Sequence, residues 1–234
     1  MAGQPGVLYS FKNPESYKKN NLNATKVLCK ICKKNFIKNF IYASSSSVYG
    51  DQKKFPIREN FPKNPKNYYA ITKYKCEKIV QDMFKNTNIN YKIFRFFSVY
   101  GPFGRPDMFI HKFLNSIKLN KKLSLHNEGK NFRDFTYIDD LIKILISNIK
   151  IKNRSKIFNI CRSNPVKTSD LVTLLQKIYR KKNTNLIYLG SVKGEMLKTH
   201  GCNKKILKNF NKFTFTKLSL GLKKTINTFR RHGY

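Results

Sequence analysis

Acidic residues are scarce in this sequence: 12 Asp and Glu stand against 48 Lys and Arg in 234 residues, for a formal charge of +36. So basic a balance raises a nucleic-acid partner as a possibility. The lysines, however, are spread through nearly every segment among Asn and Ile, not gathered into one block or one helical stripe. A nucleic-acid footprint is therefore not expected. No run approaches the roughly 20 uninterrupted apolar residues of a membrane span, and the start, "MAGQPGVLYS", has neither the charged nor the apolar region of a leader. A cytoplasmic protein with no membrane partner is expected. Cysteines are few and odd in number, 5 in all, without framework spacing, which suits a reducing compartment. The lone C-x-x-C, Cys29 and Cys32, has no second Cys/His pair near it and reads as two small apolar residues on one helical face. His111, His126, His200 and His232 show no ligand spacing, so no metal is expected.

What is present suffices for a core: 40% of residues are hydrophobic and 14% aromatic, in a length suited to one large domain or a domain with a small appendage. Apolar spacing at Tyr17, Leu22, Val27 and Leu28 predicts helix before a short strand in "NFIYASSSSVYG". A second helix should start after Pro65 with Asn67 as its cap and run to about Phe84. A second strand, "NYKIFRFFSVYGP", and a third at 156–163 follow. Strands alternating with helices imply parallel pairing in an α/β sheet, with functional loops at the carboxyl ends of the strands. Ser44 to Ser47 and Ser98 to Gly101 fall at such ends.

The second helix opens "YYAITK", with Tyr69 and Lys73 four residues apart and so on one face. A lysine beside a phenol favours the phenolate and can make it a base near neutral pH. In so lysine-rich a chain the same pair could equally be a core aromatic and a solvated charge, and other segments decide. The order Ser, Tyr, Lys of a proton relay is there, with the serines of "IYASSSSVYG" some way before Tyr69, and "RFFSVYGPFGRPDMF" and "NFRDFTYIDD" follow. Together these four motifs resemble the extended short-chain dehydrogenase/reductase family. Within it they are most similar to the NAD-dependent nucleotide-sugar 4-epimerases, UDP-glucuronate 4-epimerases in particular, over nearly the whole chain.

The resemblance implies roles for the matching positions. Tyr69 is the base at the sugar 4-hydroxyl, and Lys73 holds the nicotinamide ribose and depresses the Tyr69 pKa. Ser45 matches the catalytic Ser/Thr, with Ser46 the alternative beside the substrate. Ser44 and Phe97 would lie near the nicotinamide, and Asn20 or Asn21 matches a further cofactor contact. On the substrate side, Arg133 matches an arginine at the nucleotide diphosphate and Arg105 one at the sugar carboxylate, groups that planar bidentate donors suit. Ser98 would touch the sugar, and His126 stands where an aromatic usually flanks the base. "SSSSVYG" lacks the Asp or Glu that related dehydratases carry just before "VYG", so 4-epimerisation through a transient 4-keto sugar is expected over dehydration.

No G-x-x-G-x-x-G or G-x-G-x-x-G occurs in the chain, where the family has a glycine turn against the cofactor pyrophosphate. The expectation is therefore an N-terminally truncated Rossmann-like parallel sheet with a smaller C-terminal lobe, binding NAD poorly as it stands. Residues 1–105 and 133–162 would form what remains of the cofactor domain, and 106–132 and 163–234 the nucleotide-sugar lobe. A homodimer packed through the helices of about 12–36 and 67–84 is implied. The rival reading is a non-catalytic remnant or basic binding protein.

Overall fold

The computed structural model describes residues 3–149, 151, 157–181, 184–191, 194–210 and 212–233. Its first helices are short: α1 (Val7–Lys12) and α2 (Pro14–Tyr17), the latter with Pro14 at its first turn and the Asn13 side chain accepting from the Ser16 N–H. A π-helical turn, Lys18–Asn23, continues into α3 (Ala24–Lys34), so the helix expected here begins at Pro14 but changes pitch on the way. Strand β1 (Asn39–Ser45) runs into a 3₁₀ turn, Ser46–Tyr49. Helix α4 (Tyr68–Phe84) starts where Asn67 accepts from the Ala70 N–H at 2.8 Å, as the sequence predicts.

Strands β2 (Asn90–Phe96) and β3 (Ser98–Tyr100), helix α5 (Phe109–Lys118), strands β4 (Leu123–His126) and β5 (Phe132–Tyr137) and helix α6 (Ile138–Asn148) follow. The remainder comprises β6 (Ile157–Ile160), β7 (Pro165–Lys167), α7 (Thr168–Tyr179), β8 (Leu186–Leu189), α8 (Lys204–Leu207) and α9 (Leu218–His232). The third strand expected at 156–163 is β6, and Lys156 lies outside the described residues.

The main sheet is parallel in the order β1-β2-β6, so β1 is an edge strand among the described residues. On one face Phe40, Tyr42 and Ile93 pack against Cys29 of α3 and Val80 and Phe84 of α4. On the other, Ile41, Phe94, Phe158 and Ile160 meet Leu141 and Ile144 of α6 and Ile206 of α8. Helices on both faces of a parallel sheet make a doubly wound α/β arrangement. A separate core gathers α5, β4, β5, α7 and α9 around Phe113, Leu125, Phe135, Leu175 and Leu222, with β3 and β5 parallel and β7 antiparallel beside β5. Burial raises the Cys29 thiol to about 11, which suits the apolar role expected of it. Among the described residues no helix is long and apolar enough to cross a membrane.

Candidate active site

The register of the main sheet puts Ser45, Phe96 and Ile160 level at its carboxyl edge. A crevice at this end of a parallel sheet receives the loops that follow each strand. Ser45 caps the 3₁₀ turn, its hydroxyl accepting from Ser47 N at 3.2 Å and Ser47 Oγ at 2.9 Å. Tyr69, on the first turn of α4, lies close enough to Ser45 for that hydroxyl to hold the phenol's pKa down. The expected pair of hydroxyls thus meets at the end of β1.

Lys73 lies one turn further along the same face of α4. Its ammonium donates to the Ala43 carbonyl at 2.8 Å and stands 5.1 Å from the Tyr42 ring centre and 5.9 Å from that of Tyr69. Burial raises the Tyr69 pKa, and what pulls it back is the Ser45 hydrogen bond and then the charge of Arg105. Burial in turn lowers the pKa of Lys73, against the smaller opposing effects of Cys76 and Glu77. Lys73 acts here as a donor to the strand end.

Arg105 follows β3 and lies near Gly6 and Tyr17 as well as Tyr69. Its fork already holds a carboxylate: Nε donates to Asp107 Oδ1 at 2.9 Å and Nη2 to Oδ2. Asp107 thus occupies the bidentate face of the Arg105 guanidinium. Arg133 on β5 is half-buried, with Nη2 donating to Glu195 at 2.6 Å and Nη1 to the Phe132 carbonyl at 2.9 Å. His126 ends β4 opposite Leu189, and Ser98 opens β3 opposite Phe135. Ser46 is buried in the 3₁₀ turn.

Three expected residues point elsewhere. The Ser44 hydroxyl turns inward and donates to Glu77, because successive strand residues face opposite sides of a sheet. Phe97 is buried against Val48, Ile57 and Cys161, and Gly201 leaves room for its ring. Asn20 is on the surface, bonded to Ser16, whereas buried Asn21 joins Gln4 at the start of the chain to Thr72 of α4.

Residues that the motifs did not single out complete the surroundings. Tyr17 sets its ring edge-on to Tyr69 at 6.3 Å while its hydroxyl bonds the Pro5 and Gly6 carbonyls at 2.7 and 2.6 Å. Asp134, next to Arg133, is 0% exposed and accepts from the Ser163 and Gly201 N–H groups, both at 3.1 Å. Burial raises its carboxyl to about 6 against those bonds. Its place inside the "NFRDF" motif was the available signal, and Tyr17 had none. No group of His, Cys, Asp and Glu able to hold a metal occurs among the described residues.

A doubly wound sheet with a Ser–Tyr–Lys constellation at its carboxyl edge defines a dinucleotide-dependent class of protein, and comparison with known proteins specifies it. Residues 1–161 match the NAD dependent epimerase/dehydratase family. UDP-glucuronate 4-epimerase 3 of Arabidopsis thaliana is 33% identical over 242 residues, 96% of this chain and 56% of the relative. The solved UDP-glucuronic acid 4-epimerase from Bacillus cereus, in complex with UDP-glucuronic acid and NAD, superposes with a TM-score of 0.91 at 32% identity, covering 99% of this chain and 74% of that one. MoeE5 in complex with UDP-glucuronic acid and NAD superposes at 0.94 with 26% identity, covering 99% and 78%. The chain belongs to the NAD dependent epimerase/dehydratase family. It spans little more than half the length of the Arabidopsis enzyme.

Proposed function

We propose that this chain carries the acid–base and sugar-binding machinery for NAD-dependent 4-epimerisation of a nucleotide sugar, with UDP-glucuronate as substrate and UDP-galacturonate as product. The observation that carries the reading is the Tyr69 phenol, set beside Ser45 at the carboxyl end of β1, one turn before Lys73 and within the field of Arg105. The family match and the two similar 4-epimerases support it.

The residues present suit the nicotinamide ribose end of the cofactor, since Lys73 has donors to spare for a ribose diol beside Tyr69. The cofactor supplies hydride acceptance and return at C4. The chain supplies the rest. Tyr69 takes the 4-hydroxyl proton as the carbonyl forms and gives it back when the alcohol re-forms on the other face. Ser45 hydrogen-bonds the reacting oxygen and keeps the phenol oriented. Arg105 favours the phenolate and offers its fork to the C5 carboxylate in exchange for Asp107. Arg133, half-buried beside Glu195, is the cation for the diphosphate. Residues 44–50 contain no carboxylate, which favours epimerisation over dehydration.

The test measures kcat/KM for UDP-glucuronate and UDP-glucose with the native chain, Tyr69→Phe and Arg105→Ala, at fixed ionic strength. Tyr69→Phe should lower turnover by roughly 10²-fold or more with substrate binding nearly intact. Arg105→Ala should weaken the acid sugar far more than the neutral one, which places no carboxylate at that fork. Equal losses for both sugars would remove the support for glucuronate, and near-normal turnover without the Tyr69 hydroxyl would end its assignment as the base.

A further inference from the structure

Tyr69, Lys73 and Glu77 stand at i, i+4 and i+8 on α4 and therefore form one row along the helix. Each grips one of the last three residues of β1. Tyr69 lies beside the Ser45 side chain, Lys73 donates to the Ala43 carbonyl at 2.8 Å, and the Ser44 hydroxyl donates to Glu77 Oε1 at 2.5 Å. The first two belong to the site already described. The third is 0% exposed and holds no solvent-facing atom.

Glu77 is itself held. Arg95 of β2, 1% exposed, donates Nε to Oε1 at 2.9 Å and Nη2 to Oε2 at 2.6 Å. Its remaining nitrogen, Nη1, reaches the Tyr49 hydroxyl at 2.8 Å and the Glu59 carbonyl at 3.0 Å. The Tyr49 hydroxyl passes the chain on to Asn159 of β6 at 2.6 Å. One carboxylate thereby joins α4 to β1, to β2, to the 3₁₀ turn after Ser45 and to β6. A buried ion pair adds little net stability over apolar side chains of the same size. Its charge-assisted bonds do impose direction and distance. Both Glu77 oxygens are engaged, so the group is in no position to exchange protons with a substrate.

We propose that Glu77, locked by Arg95, is a positioning residue that sets the end of β1 against α4 through Ser44, and so keeps Ser45 within hydrogen-bonding reach of Tyr69. The catalytic meaning of that contact rests on the function proposed above, but the contact itself does not. Ser44 is the link to cut, because Ser44→Ala leaves the Glu77–Arg95 pair whole and the core folded. Replacing the pair together, Glu77→Leu with Arg95→Met, removes the clamp without stranding a charge.

The experiment follows the alkaline titration of Tyr69 in the chain without cofactor or substrate, using ¹³C-labelled tyrosine and Tyr69→Phe to assign the resonance. With Ser45 no longer held against the phenol, the midpoint should move to higher pH in Ser44→Ala and in the double variant. Turnover of UDP-glucuronate by Ser44→Ala should fall roughly tenfold with KM nearly unchanged. Ser44→Thr, which keeps the hydroxyl, should restore the native titration. An unmoved Tyr69 midpoint in Ser44→Ala and the double variant would overturn the proposal, whether or not their thermal stability falls. Absence of turnover in the native chain even at saturating NAD would defeat the functional reading alone, because the resonance would still decide this one.

Discussion

Asp134 makes the stability of this protein depend on pH in a direction opposite to that of most carboxylates. Its carboxyl is raised to about 6 by burial, from 3.8 in an unfolded chain. The folded state therefore holds the proton more tightly than the unfolded state. The stability associated with it is fully present below 3.8 and is lost as pH rises through about 6. A difference of that size corresponds to about 3 kcal/mol in total, most of it, about 2 kcal/mol, falling between pH 4 and 7. Other carboxylates, such as Asp107 held low by Arg105, act oppositely and mask the effect in the native protein. The comparison with Asp134→Asn isolates it. The amide cannot accept from both the Ser163 and Gly201 N–H groups, a loss of about 1–3 kcal/mol that does not vary with pH. Urea unfolding of both proteins at pH 4 and pH 7 should therefore show the native advantage shrinking by about 2 kcal/mol at the higher pH. A difference constant with pH would show that burial is not what governs this carboxyl.

Other expectations follow from the same contacts. Arg95→Met should cost about 3–5 kcal/mol by stranding the Glu77 carboxylate, read as a fall in urea midpoint, whereas replacing both partners should recover most of it. Gly50 sits at φ 61, ψ −156, where a methyl group would lie only 1.8 Å from the Asn64 carbonyl oxygen, so Gly50→Ala should lower the melting temperature by several degrees; an unchanged transition would contradict the turn described. Arg105→Gln should raise the Tyr69 titration midpoint, since the charge of Arg105 lowers it; an unmoved midpoint would remove Arg105 from that role.

Much of this was legible in the sequence because it depends on local chemistry. Asn67 before "YYAITK" is a cap whatever surrounds it, and strands that end in serine and glycine place their hydroxyls at the carboxyl edge. Tyr69 and Lys73 share a face by helical spacing alone. The serines were harder. Four in a row are chemically alike, and only the fold decides that Ser44 bonds Glu77 while Ser45, at the strand end, caps the 3₁₀ turn beside Tyr69. Asn20 and Asn21 stayed alternatives for a similar reason: the sequence does not show the π turn that resets the helical phase and carries Asn21 inward. The Glu77–Arg95 pair joins residues 18 apart across a helix and a strand, so neither partner announces the other. Among so many lysines and arginines, Arg95 even shares its apolar strand with Lys92, so nothing marks it as the partner of Glu77.

The side of β1 that has no neighbouring strand among the described residues has a consequence for handling the protein. Along Asn39–Ser45 one side of the strand pairs with no other strand among the described residues, and an edge of that kind is a template for sheet addition. Between copies of this chain, the +36 charge opposes that addition. Repulsion of this kind reaches about 30 Å at 0.01 M salt but only about 3 Å at 1 M. Ionic strength therefore works as a colloidal control. Dilute buffer keeps the edges apart, and concentrated salt lets them meet. Association of this kind begins beside Ser45, so clouding and loss of the site should advance together as salt is raised.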